Sequence, residues 1–80
     1  INFCFLVLYH GGDVQFGINS KNKIEDELET STFCEGMGAA TGTKHSYVDL
    51  ICFDKDELEK AVSKFSKELG IKIEICEFKR

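Results

Sequence analysis

No stretch of this sequence is apolar for long enough to cross a membrane: the longest unbroken apolar run, residues 3–9, has seven residues, against about 20 for a spanning helix. A membrane helix is therefore not expected. Bases are also too few for bulk-charge binding to nucleic-acid phosphates, with 10 Lys and Arg against 14 Asp and Glu, a net charge of −4 and a pI near 5.1. A basic or neutral partner is easier to accommodate. No Cys-x-x-Cys pair occurs, and His10 and His45 stand far from the cysteines, so a zinc site would need four scattered ligands to converge. No metal and no cofactor is expected. The first residues lack the basic segment and small-residue cleavage site of a signal peptide, and are not read as one.

What is present is a globular balance, 42% hydrophobic and 30% charged residues, away from the weakly hydrophobic, highly charged composition of disorder. Eighty residues leave room for one small core, so the expectation is a single domain over residues 1–80. The four cysteines, Cys4, Cys34, Cys52 and Cys76, are flanked by Phe, Ile and Glu in strand-like settings. There a free thiol acts as a small hydrophobe. All four are expected to be reduced, which places the chain in the cytoplasm by the compartment rule.

Along the chain, residues 1–9 read as a strand covered on both faces. His10, Gly11, Gly12 and Asp13 form a turn, and Val14, Phe16 and Ile18 then alternate with Gln15, Gly17 and Asn19 as a second strand closing an N-terminal hairpin. Asn22 with Glu25 offers a capping pair for a short helix over residues 23–30. Phe33 and Cys34 read as a short strand, and residues 35–46, with three of the seven glycines, as a long loop. In a strand over residues 47–53, Val48, Leu50 and Cys52 share one face and Tyr47, Asp49, Ile51 and Phe53 the other. Asp54 caps a helix with Glu57 at its third position. Leu58, Ala61, Val62, Phe65 and Leu69 form its stripe and Gly70 ends it. Ile71, Ile73 and Ile75 alternate with Lys72, Glu74 and Cys76 in a last strand over residues 71–78.

This order of elements, carried by residues 1–9, 23–30, 47–53, 54–69 and 71–78, resembles the ferredoxin-like, split β-α-β class. The resemblance implies an α+β two-layer sandwich: a mainly antiparallel sheet with two helices on one face, here with an extra N-terminal hairpin. That class includes metallochaperones, ligand-sensing regulatory domains, RNA binders and small protein inhibitors, so topology does not choose among them.

The polar constellations are weak. Gly36, Gly38 and Gly42 give G-x-G-x-x-x-G, one residue too long for a dinucleotide loop, and Thr43 separates Gly42 from Lys44 where a P-loop needs Gly-Lys. His10 with Asp13 offers a general base or a solvated turn. Ser46 and His45 are neighbours on a strand and point to opposite faces, which defeats a nucleophile–base pair. Cys34, beside the polar loop, is the thiol expected to be most exposed. No catalytic residue is assigned, and the chain is not expected to be an enzyme.

Two surfaces remain. If Val48, Leu50, Cys52, Ile71, Ile73 and Ile75 face the helices, then Tyr47, Ile51, Phe53, Cys76 and Phe78 line the opposite face with members of Phe3, Phe5 and Tyr9, an apolar patch of the kind that marks an interface. Glu25, Asp26, Glu57 and Glu59 belong to acidic runs on the two helices that steer a basic partner or simply solvate the helices. The partner-binding candidates are thus Tyr47, Ile51, Phe53, Phe78, Glu25, Asp26, Glu57 and Glu59. RNA stacking on the sheet is disfavoured because Asp49 and Glu74 sit among the aromatics. The expected function is a small acidic protein-binding module, an inhibitor or immunity-type protein for a larger, basic, nucleic-acid-processing enzyme. The alternative is a ligand-sensing or oligomerising regulatory domain that dimerises through the open sheet face.

Overall fold

The computed structural model of the protein describes residues 2–77. Four strands and two helices follow one another as β1 (Asn2–Tyr9), α1 (Val14–Glu29), β2 (Cys34–Thr41), β3 (His45–Cys52), α2 (Lys55–Leu69) and β4 (Lys72–Glu77). The strands form one antiparallel sheet in the order β2-β3-β1-β4. Each half of the chain is a strand–helix–strand unit, and β1 and β3 lie side by side at the centre. This is the ferredoxin-like arrangement.

The register explains which residues face inward. Leu6 lies between Val48 of β3 and Ile75 of β4, and Leu8 between Ser46 and Ile73. Cys4, Leu6 and Leu8 join Val48, Leu50 and Cys52 in a core closed by Ile24 and Leu28 of α1 and by Leu58, Val62 and Phe65 of α2. Both helices therefore cover the same face. Among the described residues, no helix is long and apolar enough to cross a membrane.

The second half follows the sequence pattern closely. Asp54 accepts a hydrogen bond from the Glu57 N–H at 3.3 Å, and Gly70 closes α2 in the left-handed region at φ 65°. Leu58, Val62 and Phe65 are buried, with Ala61 and Leu69 packed against the core. Lys55, at the start of α2, pairs with Glu77 of β4 at 2.6 Å.

The first half differs. Residues 14–18 are not a strand, and there is no N-terminal hairpin: they form the first turn and a half of α1. Gly11 (φ 65°) and Gly12 (φ 96°) reverse the chain after β1, and Asp13, not Asn22, caps the helix by accepting the Phe16 N–H at 3.1 Å. The buried stripe of α1 is Gly17, Ser20, Ile24 and Leu28, at spacings of three, four and four. Its first two members carry no apolar side chain, so Val14, Phe16 and Ile18 imitate strand alternation. The stretch 35–46 is not a loop either, since β2 occupies most of it and turns tightly into β3 through a hydrogen bond from the Gly42 N–H to the His45 carbonyl at 2.7 Å. As an edge strand, with residues 35–40 exposed, β2 has no apolar face to advertise.

Candidate functional site

The face of the sheet away from the helices is built in cross-strand rows. Phe3 lies opposite Ile51, and Phe5 between Asp49 and Cys76. Val7 lies between Tyr47 and Glu74, and Tyr9 between His45 and Lys72. Phe3 and Tyr47 expose 50% and 38% of their surface. Ile51, Phe5 and Cys76 are half-buried, while Val7 is buried at the centre of the patch. The sequence reading had not placed Val7 there, because an unbroken apolar run hides which members face which layer.

The periphery of this patch is polar. The Tyr9 hydroxyl donates to Glu74 at 3.0 Å, a bond that raises the Tyr9 pKa above its ordinary value. Lys72 lies over the Tyr9 ring at 5.1 Å, and His45 meets it edge-on with centroids 4.7 Å apart. Glu35 and Asp49 continue the acidic border along β2 and β3. Phe78, expected on this face, lies outside the described residues.

The eight candidate residues do not form one surface. Tyr47 and Ile51 belong to the open sheet face, whereas Phe53, just past the end of β3, lines the space between α1 and β2. Glu25 and Asp26 on α1, and Glu57 and Glu59 on α2, belong to the opposite layer. Glu25 is paired with Lys21 at 3.1 Å, Glu27 with Lys23 at 3.5 Å, Glu57 with Lys60 at 3.5 Å and Glu68 with Lys64 at 3.8 Å. The helix layer is thus a mosaic of both signs, with Asp26 and Glu59 exposed in it.

The polar groups considered for catalysis are committed elsewhere. His10 is buried at 6% exposure, neither a solvated turn residue nor a base held by Asp13, whose carboxylate is the α1 cap. Its ring packs against Gly17, where a β-carbon would overlap it, and neither ring nitrogen has a hydrogen-bond partner among the described residues. Ser46 is fully buried and 3.4 Å from the Thr41 hydroxyl, on the face opposite His45.

All four cysteines are free. Cys34 is buried at 4% rather than exposed, opposite Cys52 in the ladder, and Cys76 is the partly accessible thiol. Burial pushes the Cys4 thiol up to about 11, helped by Cys52 and Cys34. Burial also raises Cys34, against a lowering hydrogen bond from Ser31, while desolvation followed by Glu74 raises Cys76. Thiols held protonated at neutral pH are weak nucleophiles. Among the described residues, no group of three or more His, Cys, Asp or Glu is placed to hold a metal ion.

A cleft of about 620 Å³ lies between the C-terminal part of α1 and β2. Leu28, Cys34, Val48 and Leu50 line it, and Glu25, Glu29 and Glu35 stand at its border. It exists because the helix-facing residues of β2 are small: Gly36 lies opposite Leu50, and Ala39 opposite Val48. Reading residues 35–46 as a loop had concealed it.

These features define a ferredoxin-like α+β sandwich with one uncovered sheet face. No protein-family model matches the chain, and no curated protein matches it. Among solved structures it is similar to the C-terminal segment of the alpha subunit of aIF2 from Pyrococcus abyssi, with a TM-score of 0.55 and 11% identity over 99% of this chain and 50% of that one. A second similar structure is that of PH0061, with a TM-score of 0.46 and 13% identity over 99% of this chain and 53% of that one. The chain thus spans about half the length of both, and at 11% identity the likeness to the first is one of fold alone.

Proposed function

We propose that this domain is a protein-binding module whose contact surface is the uncovered sheet face, and that its partner presents an apolar surface bordered by basic residues. The observation that carries this reading is the exposure of Phe3 and Tyr47 on one face of the sheet, around half-buried Phe5 and Ile51. Large exposed apolar groups gathered in one patch mark interfaces on soluble proteins. The border charges Glu35, Asp49 and Glu74 outweigh Lys72 on the same periphery and favour a basic partner. The narrower form of the proposal is an inhibitor or immunity-type protein for a larger, nucleic-acid-processing enzyme. The free thiols fit a reducing compartment, and we extend the proposal to a cytoplasmic location.

The test places a photo-crosslinking residue at position 3 or 47 in the native host, with position 26 on the helix layer as control. The reading expects one stoichiometric adduct with a larger protein from the sheet-face positions. It also expects Tyr47→Glu to abolish that complex while leaving the unfolding midpoint unchanged. A self-adduct from position 47, with a dimer in solution that Tyr47→Glu dissolves, would instead make this a self-associating domain. Adducts from position 26 alone would move the contact to the helices.

A further inference from the structure

The edges of the sheet are guarded differently. β4 places Lys72, Glu74 and Glu77 within six residues, and charges on an edge strand discourage pairing with another chain. β2 reads Cys-Glu-Gly-Met-Gly-Ala-Ala-Thr, with one charge, no proline and six consecutive exposed residues. The ladder shows which of its amides are open. The bonds from Phe53 N–H to the Phe33 carbonyl and from Gly42 N–H to the His45 carbonyl mark hydrogen-bonded pairs at both ends of the β2–β3 register. By the antiparallel alternation, Gly36, Ala39 and Thr41, opposite Leu50, Val48 and Ser46, fall at non-bonded pairs and turn their N–H and C=O groups to the outside. The cleft under α1 runs beside this open edge, apolar at its floor and bordered by Glu25, Glu29 and Glu35. Of these, only Glu25 has a lysine partner among the described residues.

We propose that β2 accepts an extended, basic peptide segment as a fifth strand, with one of its apolar side chains in the cleft and its lysines or arginines against Glu25, Glu29 and Glu35. Main-chain hydrogen bonds supply affinity in strand addition, and a pocket for alternate side chains supplies selectivity. Charge selects the occupant. A second copy paired antiparallel along the whole of β2 would set Glu35 against Ala40 and bring no cation from β2 to the acidic border, whereas a basic segment neutralises it. The site shares Glu35, cross-strand from Ile51, with the border of the sheet face, but the open amides of β2 and the cleft with Glu25 and Glu29 stand without the sheet-face reading.

The probe is the capped peptide Lys-Val-Lys-Ile-Lys-Val-Lys, titrated into isotope-labelled protein at low salt. Expected are amide shifts along residues 34–41 and 25–32, with affinity falling as salt shortens the Debye length. Gly36→Val fills the cleft from a position where a β-carbon meets nothing within 4 Å. Ala39→Pro removes an outward N–H at an edge position that tolerates proline. Each is expected to weaken binding by about tenfold or more with the unfolding midpoint kept. Should Ala39→Pro fail to fold, the Glu29→Gln, Glu35→Gln pair serves in its place, with the same loss expected at low salt.

Absence of shifts at millimolar peptide overturns the proposal, as do shifts confined to Phe3, Tyr47 and Ile51, which point to the sheet face alone. Binding that survives Gly36→Val together with the edge variant overturns it too. Self-association through β2, seen as peptide-independent dimer lost in Ala39→Pro, assigns the edge to a second copy instead.

Discussion

The two halves of the molecule share a strand–helix–strand plan and build their share of the core in opposite ways. In the second half, α2 drives Leu58, Val62 and Phe65 into the sheet, so large side chains fill the space between helix and strands. In the first half, α1 approaches with Gly17 and Ser20 before its leucine and isoleucine, and the strand it packs on, β2, offers Gly36 and Ala39. The space is filled there by the strands' own residues, with His10 under Gly17, or left open as the cleft beside β2. Dense apolar filling goes with an edge strand, β4, guarded by Lys72, Glu74 and Glu77. Close backbone approach yields a half with an accessible edge and an accessible groove, which is where a partner has room to bind.

Substitution at the centre of each half breaks the comparison most directly. Phe65→Ala removes a 3%-exposed ring and is expected to cost about 3–5 kcal/mol in denaturant unfolding; a loss below about 1 kcal/mol would mean that the large-side-chain half is not what holds the domain together. Gly17→Ala, which in an ordinary helix interior stabilises by roughly 0.5–1 kcal/mol, is expected here to destabilise by about 1–3 kcal/mol through overlap with the His10 ring. The same change in a His10→Ala background is expected to cost much less, and equal costs in both backgrounds would remove the His10–Gly17 contact as the reason for the glycine.

Where the two halves meet, Cys4 carries a thiol raised from 9.0 to about 11 by burial. Below pH 9 the folded and unfolded states both hold the proton. Between 9 and 11 the unfolded state releases it first, so stability falls as pH rises through that window, by on the order of 2 kcal/mol. Unfolding measured across this range with Cys4→Ala alongside is expected to show a shallower fall in the variant, and parallel curves would contradict the assignment. Smaller again are the helix caps. Asp13→Ala and Asp54→Ala each lose a bond to a backbone N–H, for about 1 kcal/mol apiece. Breaking the exposed Lys23–Glu27 pair is expected to cost about 0.3–0.5 kcal/mol, less in high salt.

The contrast also explains what could be read in advance. A helix that buries Leu58, Val62 and Phe65 repeats every three or four residues in apolar letters, and Asp54 and Gly70 mark its ends by their own backbone chemistry. The strand of β3 alternates Val48, Leu50 and Cys52 against Tyr47, Asp49 and Ile51. Both patterns are local. The start of α1 carries a competing local pattern, in which Val14, Phe16 and Ile18 alternate as a strand would, and its true stripe uses a glycine and a serine that no hydropathy scale marks as interior. On β2, the small exposed residues have no periodicity, because their reason for being a strand is the ladder offered by β3.

The sequence by itself determined the class of fold, the second helix with its caps and stripe, the inward faces of β3 and β4, and the shared face of Tyr47 and Ile51, since each follows from side-chain periodicity within a single element. Only the tertiary structure decided that α1 begins at Val14, that β2 exists as an exposed edge, and that Cys34 is buried. Those outcomes depend on what stands across from a residue. Gly17 is interior because His10 lies beneath it, and the cleft beside β2 is open because Gly36 and Ala39 leave it so.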